Sequence, residues 1–93
     1  MDIRLYIDPA SGEPHIVRYN VCEQEVREAL TRPLEDRPGA EGSRVAVGQT
    51  AAGRYLRIVY VPDPKPDSVF VITGYDLGPK AKRAFKRRWR KKS

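Results

Sequence analysis

The chain has 93 residues, of which 40% are hydrophobic and 32% are charged, a length and composition that suit one small globular domain over residues 1–93 and exclude two. Its net charge of +6 comes from one segment, because residues 80–93 contain nine Lys or Arg and no acid, whereas residues 1–79 contain nine Lys or Arg against twelve Asp or Glu. No segment approaches the roughly 18 apolar residues of a membrane span, and a single cysteine excludes an intrachain disulfide, so we expect a cytoplasmic protein that does not contact a membrane.

The first predicted elements are a strand and a helix. Apolar and polar residues alternate over residues 2–8, as in a half-buried strand, and the turn residues of "PASGEP" follow. A helix is predicted within residues 15–33, with an apolar face at helical spacing. That face contains Cys22, Val26, Ala29 and Leu30.

The ends of this helix carry recognisable signals. Asn20 with Glu23 has the spacing of a capping box, and Cys22 with Glu25 is the alternative register. Pro33 ends the helix, because the residue before a proline is pushed out of the helical conformation. The N-terminus of this helix is therefore predicted at one of two positions, two residues apart.

The second half of the chain predicts three strands and a final helix. A polar loop over residues 34–42 is followed by strands at 43–49, 54–61 and 69–75. A helix is predicted over residues 79–92, because a glycine and a proline stand at its start. The order β-α-β-β-β-α predicts an α+β fold, a small antiparallel sheet with helices packed on it.

The final helix has one apolar and one basic side. Its predicted core-facing residues are Ala81, Ala84, Phe85 and Trp89, which share a face at helical spacing. The predicted basic surface consists of Lys82, Arg83, Lys86, Arg87 and Arg90. Phosphate contacts by such residues give affinity without sequence information, so RNA is the expected partner, with a solvated helix end as the alternative.

Several stretches together resemble a known family. "HIVRYNVCEQEVREALTRP", then "VGQTAAGRYLRIVYV" and "FVITGYD", are similar to the DUF4258 family and to the BrnT-like toxins of type II toxin–antitoxin modules. The resemblance covers roughly residues 15–90. It implies a RelE/ParE-like fold, translation-inhibiting ribonuclease activity and neutralisation by a DNA-binding antitoxin protein.

The same resemblance directs attention to individual residues. Carried over position by position, it implies roles for His15, Arg44, Arg54 and Tyr60. Tyr75 stands where BrnT-like sequences tend to have an arginine. These five are the candidate catalytic residues.

Metal-independent RNA cleavage needs a base for the 2′-OH proton, positive charge for the phosphate and an acid for the leaving 5′-oxygen. His15 is the only imidazole and could act as the base; Tyr60 and Tyr75 are candidate acids or base-stacking platforms. Arg57 shares a strand face with Tyr55 and is a further candidate RNA contact. One His and one Cys cannot form a metal site, and neither a metal nor another cofactor is expected.

Each candidate also has a structural interpretation. His15 can be a hydrogen-bonded helix-entry residue, the arginines can serve strand-edge solubility, and the tyrosines can pack in the core. Three hypotheses follow: a toxin-like ribonuclease, a non-catalytic domain that binds RNA or a protein, and a protein-pairing domain whose basic segment serves only solubility.

Overall fold

The computed structural model describes residues 1–92, with side chains to Arg90, so that Ser93 of the predicted domain lies outside the described residues. The fold is α+β, with five strands and two helices. The strands are β1 (Asp2–Leu5), β2 (Glu35–Pro38), β3 (Arg44–Gln49), β4 (Tyr55–Pro62) and β5 (Ser68–Asp76). The helices are α1 (Glu23–Thr31) and α2 (Pro79–Lys92), and short 3₁₀ turns occupy His15–Tyr19 and Ala40–Gly42.

The five strands form one mixed sheet in the order β1-β5-β4-β3-β2. Neighbouring strands from β2 to β5 are antiparallel, but β1 pairs with β5 in parallel, with Ile3 opposite Val69. The prediction of a purely antiparallel sheet is therefore wrong. The alternation over residues 2–8 reports which side chains are buried and carries no information about the direction of the neighbouring strand.

The predicted loop over residues 34–42 contains the additional strand β2. Glu35 pairs with Val47 and Pro38 with Arg44 at the edge of the sheet. An edge strand can be charged and can carry a proline, because one of its sides faces solvent. The predicted order β-α-β-β-β-α is accordingly corrected to β-α-β-β-β-β-α.

The first helix confirms one of the two predicted caps. Glu25 Oε1 accepts a hydrogen bond from the Cys22 backbone N–H at 3.1 Å, so that Cys22 is the N-terminal cap of α1. Asn20 instead ends the preceding 3₁₀ turn in a left-handed conformation, with φ at 56°. Val26 and Ala29 are fully buried, whereas Cys22 is exposed.

Helix α1 packs on one face of the sheet. Its buried residues contact a core of apolar side chains that includes Ala46 of β3, Leu56 and Ile58 of β4, and Val71 of β5. Gly48 lets the helix approach β3 closely, because a Cβ added there would lie 2.2 Å from the carbonyl oxygen of Ala29.

Helix α2 packs on the opposite face, where Phe85 is its main anchor. Phe85 is 2% exposed and belongs to a small cluster with Val47 and Leu77. Trp89 was expected in the same buried stripe but is 43% exposed, and its ring stacks on Phe85 with 6.2 Å between ring centroids. Near the end of α2, the partly exposed Arg88 pairs with Glu35 of β2 at 3.2 Å.

The contact at Gly48 gives the first test. Gly48→Ser forces α1 away from β3, and we expect a loss of about 3 kcal/mol in the free energy of unfolding, or roughly 10 °C or more in Tm for a domain of this size. The control is Gly78→Ser, because nothing lies within 4 Å of a Cβ added at Gly78. Equal Tm values for the two variants in thermal unfolding would contradict the close approach of α1 to the sheet.

Candidate functional site

Two of the candidate catalytic residues, Arg44 and Tyr60, share one carboxylate. They are directly opposite on β3 and β4, on the face covered by α1. Asp36 accepts a bond from Arg44 Nε at 2.9 Å and from the Tyr60 hydroxyl at 2.5 Å. Burial, together with the Asp36 carboxylate, raises the pKa of Tyr60 to about 12. Tyr60 therefore holds its proton at neutral pH and joins β4 to the edge strand β2.

Arg54, the third candidate, is engaged at all three of its side-chain nitrogens. Asp76 accepts bonds from Nε and Nη2, both at 2.7 Å, and Glu25 accepts from Nη1 at 3.0 Å. The remaining donors bond the backbone carbonyls of Tyr19 and Asn20, at 3.0 and 2.7 Å. The hydrogen bonds to Asp76 are the main cause of the raised pKa of Arg54. Arg54 thus joins the 3₁₀ turn, α1 and the end of β5.

His15, the fourth candidate, begins the 3₁₀ turn and is oriented by a carboxylate. Its Nδ1 lies 3.4 Å from Asp8 Oδ2. The backbone N–H of Ala10 and then the His15 contact hold the pKa of Asp8 below its usual value. Arg18 Nη1 lies 3.7 Å from the same carboxylate. An imidazole held at Nδ1 can present Nε2 to a substrate, so this pair has the geometry of an oriented base.

His15 also belongs to a row of rings, here called the aromatic series: Phe70, Tyr6, His15, Tyr19 and Tyr75. Successive ring centroids are 6.4, 6.2, 5.7 and 5.6 Å apart. These distances are those of ordinary tilted and edge-to-face aromatic contacts. Tyr6 and Tyr19 are 38% and 43% exposed, so the series has a solvent-accessible side. Tyr75, the fifth candidate, is thus linked to His15 by Tyr19, whose ring contacts both of theirs.

The predicted basic surface of α2 lies on the sheet face opposite α1. Lys82 and Lys86 place their ammonium groups 5.0 and 5.3 Å from the ring centre of Tyr55, within cation–π range. The helix also carries a shallow cavity of about 230 Å³ with an entirely basic lining. The lining residues are Arg83, Lys86, Arg87 and Arg90.

Arg57 lies between the aromatic series and α2. It is opposite Tyr75 on β5 and two residues from Tyr55 on β4, so all three side chains share one face of the sheet. Its Nε is buried and has no hydrogen-bond partner among the residues that the structure describes, and the same holds for Thr73 Oγ1 on the neighbouring strand. A buried donor without a partner costs about 1–3 kcal/mol, so these two atoms are an energetically costly polar feature of this face.

The structure thus separates the five candidate catalytic residues. His15 and Tyr75 meet through Tyr19, whereas Arg44 and Tyr60 lie on the α1 face and Arg54 is enclosed by its partners. Their role in catalysis stays a prediction. Tyr6 and Tyr19 were not predicted as site residues, because neither belongs to a sequence motif. Only the fold brings their rings against His15. Arg88 was not predicted either, and only its pairing with Glu35 distinguishes it from the other basic residues of α2.

Comparisons with known proteins leave the family open. No protein-family model, no curated protein and no solved structure matches the chain. Neither helix in the described range 1–92 is both long and apolar enough to cross a membrane. Within the same range, no group of three or more His, Cys, Asp or Glu side chains is placed to hold a metal ion.

The Arg54 network gives a pH-dependent test. The pKa of Asp76 is lowered mainly by Arg54, and that of Glu25 by the Cys22 N–H and then by Arg54. Groups with a lowered folded-state pKa stabilise the fold above their unfolded pKa, and this contribution is lost as the pH falls through the folded value. We expect Arg54→Met to unfold more readily at pH 7 and to flatten the loss of unfolding free energy between about pH 5 and pH 2.

The measurement is denaturant unfolding across that pH range. Arg32→Met is the control, because it removes one exposed arginine outside this network and should preserve the wild-type slope. An unchanged slope for Arg54→Met would show that the two carboxylates do not depend on Arg54.

Proposed function

We propose that the protein is an RNA-binding domain whose basic helix α2 contacts the phosphate backbone. The observation that carries this proposal is the docking of α2. Phe85 is buried against the sheet, and the Arg88–Glu35 pair fixes the same helix to β2. Docking holds the basic side chains on one surface, so less conformational entropy is lost on binding than for a disordered basic tail.

The neighbourhood of α2 favours RNA over an acidic protein. Lys82 and Lys86 lie over the Tyr55 ring, and Arg57 and Tyr75 continue the same face. Cations interleaved with aromatic rings suit a ligand that carries both phosphates and bases. An acidic protein could pair its carboxylates with the cations, but its carboxylates would not stack on these rings as nucleic-acid bases do.

A toxin-like ribonuclease is the second candidate, and the Asp8–His15 contact is the observation that favours it. In this reaction His15 Nε2 takes the 2′-OH proton and the 2′-oxygen attacks the phosphorus. The bond from phosphorus to the 5′-oxygen breaks, the candidate acid Tyr75 donates a proton to that oxygen, and a 2′,3′-cyclic phosphate forms. The resemblance to BrnT-like toxins extends this candidate to a RelE/ParE-like topology, an antitoxin partner and a cytoplasmic location.

The binding proposal predicts a loss specific to α2. The double variant Arg83→Gln/Arg87→Gln removes two expected phosphate contacts, so the slope of log Kd against log salt should fall in magnitude by about 1.4 for single-stranded RNA. The measurement is fluorescence anisotropy with a labelled RNA oligonucleotide at several salt concentrations.

The control removes the same charge elsewhere. Arg32→Gln/Lys65→Gln changes two exposed residues, one after α1 and one in the loop between β4 and β5. It should largely preserve the wild-type slope. Equal slopes for both double variants would mean that α2 is not the RNA contact and that only net charge matters.

The ribonuclease candidate predicts cleavage in the presence of EDTA. End-labelled RNA incubated with the protein should yield products ending in 2′,3′-cyclic phosphate, and His15→Asn should slow their formation by about 10²–10⁴-fold. Intact RNA after prolonged incubation with wild-type protein would reject this candidate and leave the binding proposal in place.

A further inference from the structure

We infer that the RNA bound by this surface is an unpaired strand whose bases stack on the aromatic series. This inference rests on the proposed RNA binding by α2 and adds the class of RNA and the part of the fold that selects it. The proposed function and this inference depend on different residues. Helix α2 supplies positive charge, and the aromatic series supplies ring faces.

Large apolar side chains are exposed to solvent in the aromatic series and beside it. Tyr6 and Tyr19 are 38% and 43% exposed, and their chain neighbours Ile7 and Val17 are 49% and 48% exposed. All four lie in two segments that pair at the start of the 3₁₀ turn, where Ile7 bridges Pro14 and the His15 backbone N–H bonds the Tyr6 carbonyl. Exposed apolar clusters beside charged residues mark sites that a ligand covers.

Rings and cations follow one another from this turn to α2. Tyr19 contacts Tyr75, Tyr75 is opposite Arg57, and Arg57 is two residues from Tyr55 on the same strand face. Lys82 then lies over Tyr55. At the other end of the series, the Arg4 guanidinium lies 5.2 Å from the ring centre of Phe70. A strand lying across this face would therefore meet a row of rings, followed towards α2 by the cations Arg57 and Lys82; Arg4 at the other end is paired with Asp63.

The centre of this path contains polar atoms that lack protein partners. Arg57 Nε and Thr73 Oγ1 are buried and, within the described part of the chain, make no hydrogen bond. They are on adjacent strands, since Arg57 pairs with Tyr75 and Thr73 pairs with Val59. A guanidinium donor and a hydroxyl at diagonal positions of two neighbouring strands are groups that can bond a phosphate oxygen or the edge of a base.

An unpaired strand fits these features better than a duplex does. In a duplex the base faces are stacked on one another and are unavailable to protein rings, so a duplex could use only the charges of α2. Bases of a single strand can be splayed and stacked on aromatic side chains, and every base has a face to offer. The aromatic series is thus predicted to select unpaired RNA without selecting its sequence.

The test compares ring removal with ring retention. Tyr6→Leu/Tyr19→Leu removes two exposed rings but keeps apolar side chains, and Tyr6→Phe/Tyr19→Phe keeps both rings. Binding is measured by anisotropy with a labelled RNA 12-mer, the same 12-mer annealed to its complement, and the DNA strand of the same sequence. Circular dichroism and Tm values check that each variant is folded.

We expect the wild type to bind the single strand at least about tenfold more tightly than the duplex. The Leu variant should lose about tenfold or more in affinity for the single strand only. The Phe variant should keep its Kd for the single strand within about twofold of the wild type. Equal wild-type affinity for strand and duplex, or an unchanged Kd for the Leu variant, would overturn the inference while α2-dependent binding remained. Equal affinity for the DNA strand would overturn the assignment to RNA. Absence of salt-dependent binding to any RNA would instead overturn the proposed function.

Discussion

The hydrogen bonds of Arg54 determine how the parts of this fold are placed relative to one another. One guanidinium bonds Asp76 at the end of β5, Glu25 in the first turn of α1, and the carbonyl of Tyr19. Leu77, the residue after Asp76, is part of the cluster that seats α2. A single side chain therefore relates the 3₁₀ turn that carries Tyr19 to the sheet and to the start of the basic helix.

This role explains why an arginine can be central without acting on a ligand. Arginine offers donors in a rigid planar arrangement, and here two carboxylates and two carbonyls occupy them. Other cations are held differently: Lys82 and Lys86 lie over a ring, and Arg57, whose Nε is buried, projects from the middle of a strand. The fold thus divides its positive charge between residues such as Arg54 that hold its elements together and the basic side chains on the surface of α2.

The sequence predicts the parts of the fold that depend on burial. Alternation locates β3, β4 and β5 to within a residue or two at each end, and helical spacing locates α2 over residues 79–92. The charged strand β2 escapes this reasoning because it lies at an edge and buries little. The choice between the two caps of α1 needed the structure, which shows Asn20 ending the preceding turn and Cys22 beginning the helix.

The candidate site was harder to predict than the fold, because it depends on contacts between distant segments. Sequence spacing placed Arg57 and Tyr55 on one strand face, and the register confirms that arrangement. It could not show that Arg44 and Tyr60 meet at Asp36, or that Tyr6 and Tyr19 flank His15, since these residues come from separate elements. Phe85 and Trp89 have the same spacing signal but differ in burial, since only Phe85 reaches the cluster of Val47 and Leu77.

The parallel pairing of β1 with β5 has a consequence for the order in which the domain is made. Among the described residues, the first strand pairs only with residues 68–71, so it has no neighbour in the sheet until those residues have left the ribosome. Such distant pairings close late, because a long loop must be ordered before the contact forms. Tyr6 joins Phe70 through the same pairing. The contact between Tyr6 and Phe70 therefore cannot form in a nascent chain that is shorter than residue 70, so the N-terminal strand must wait for β5 before its side of the aromatic series is assembled.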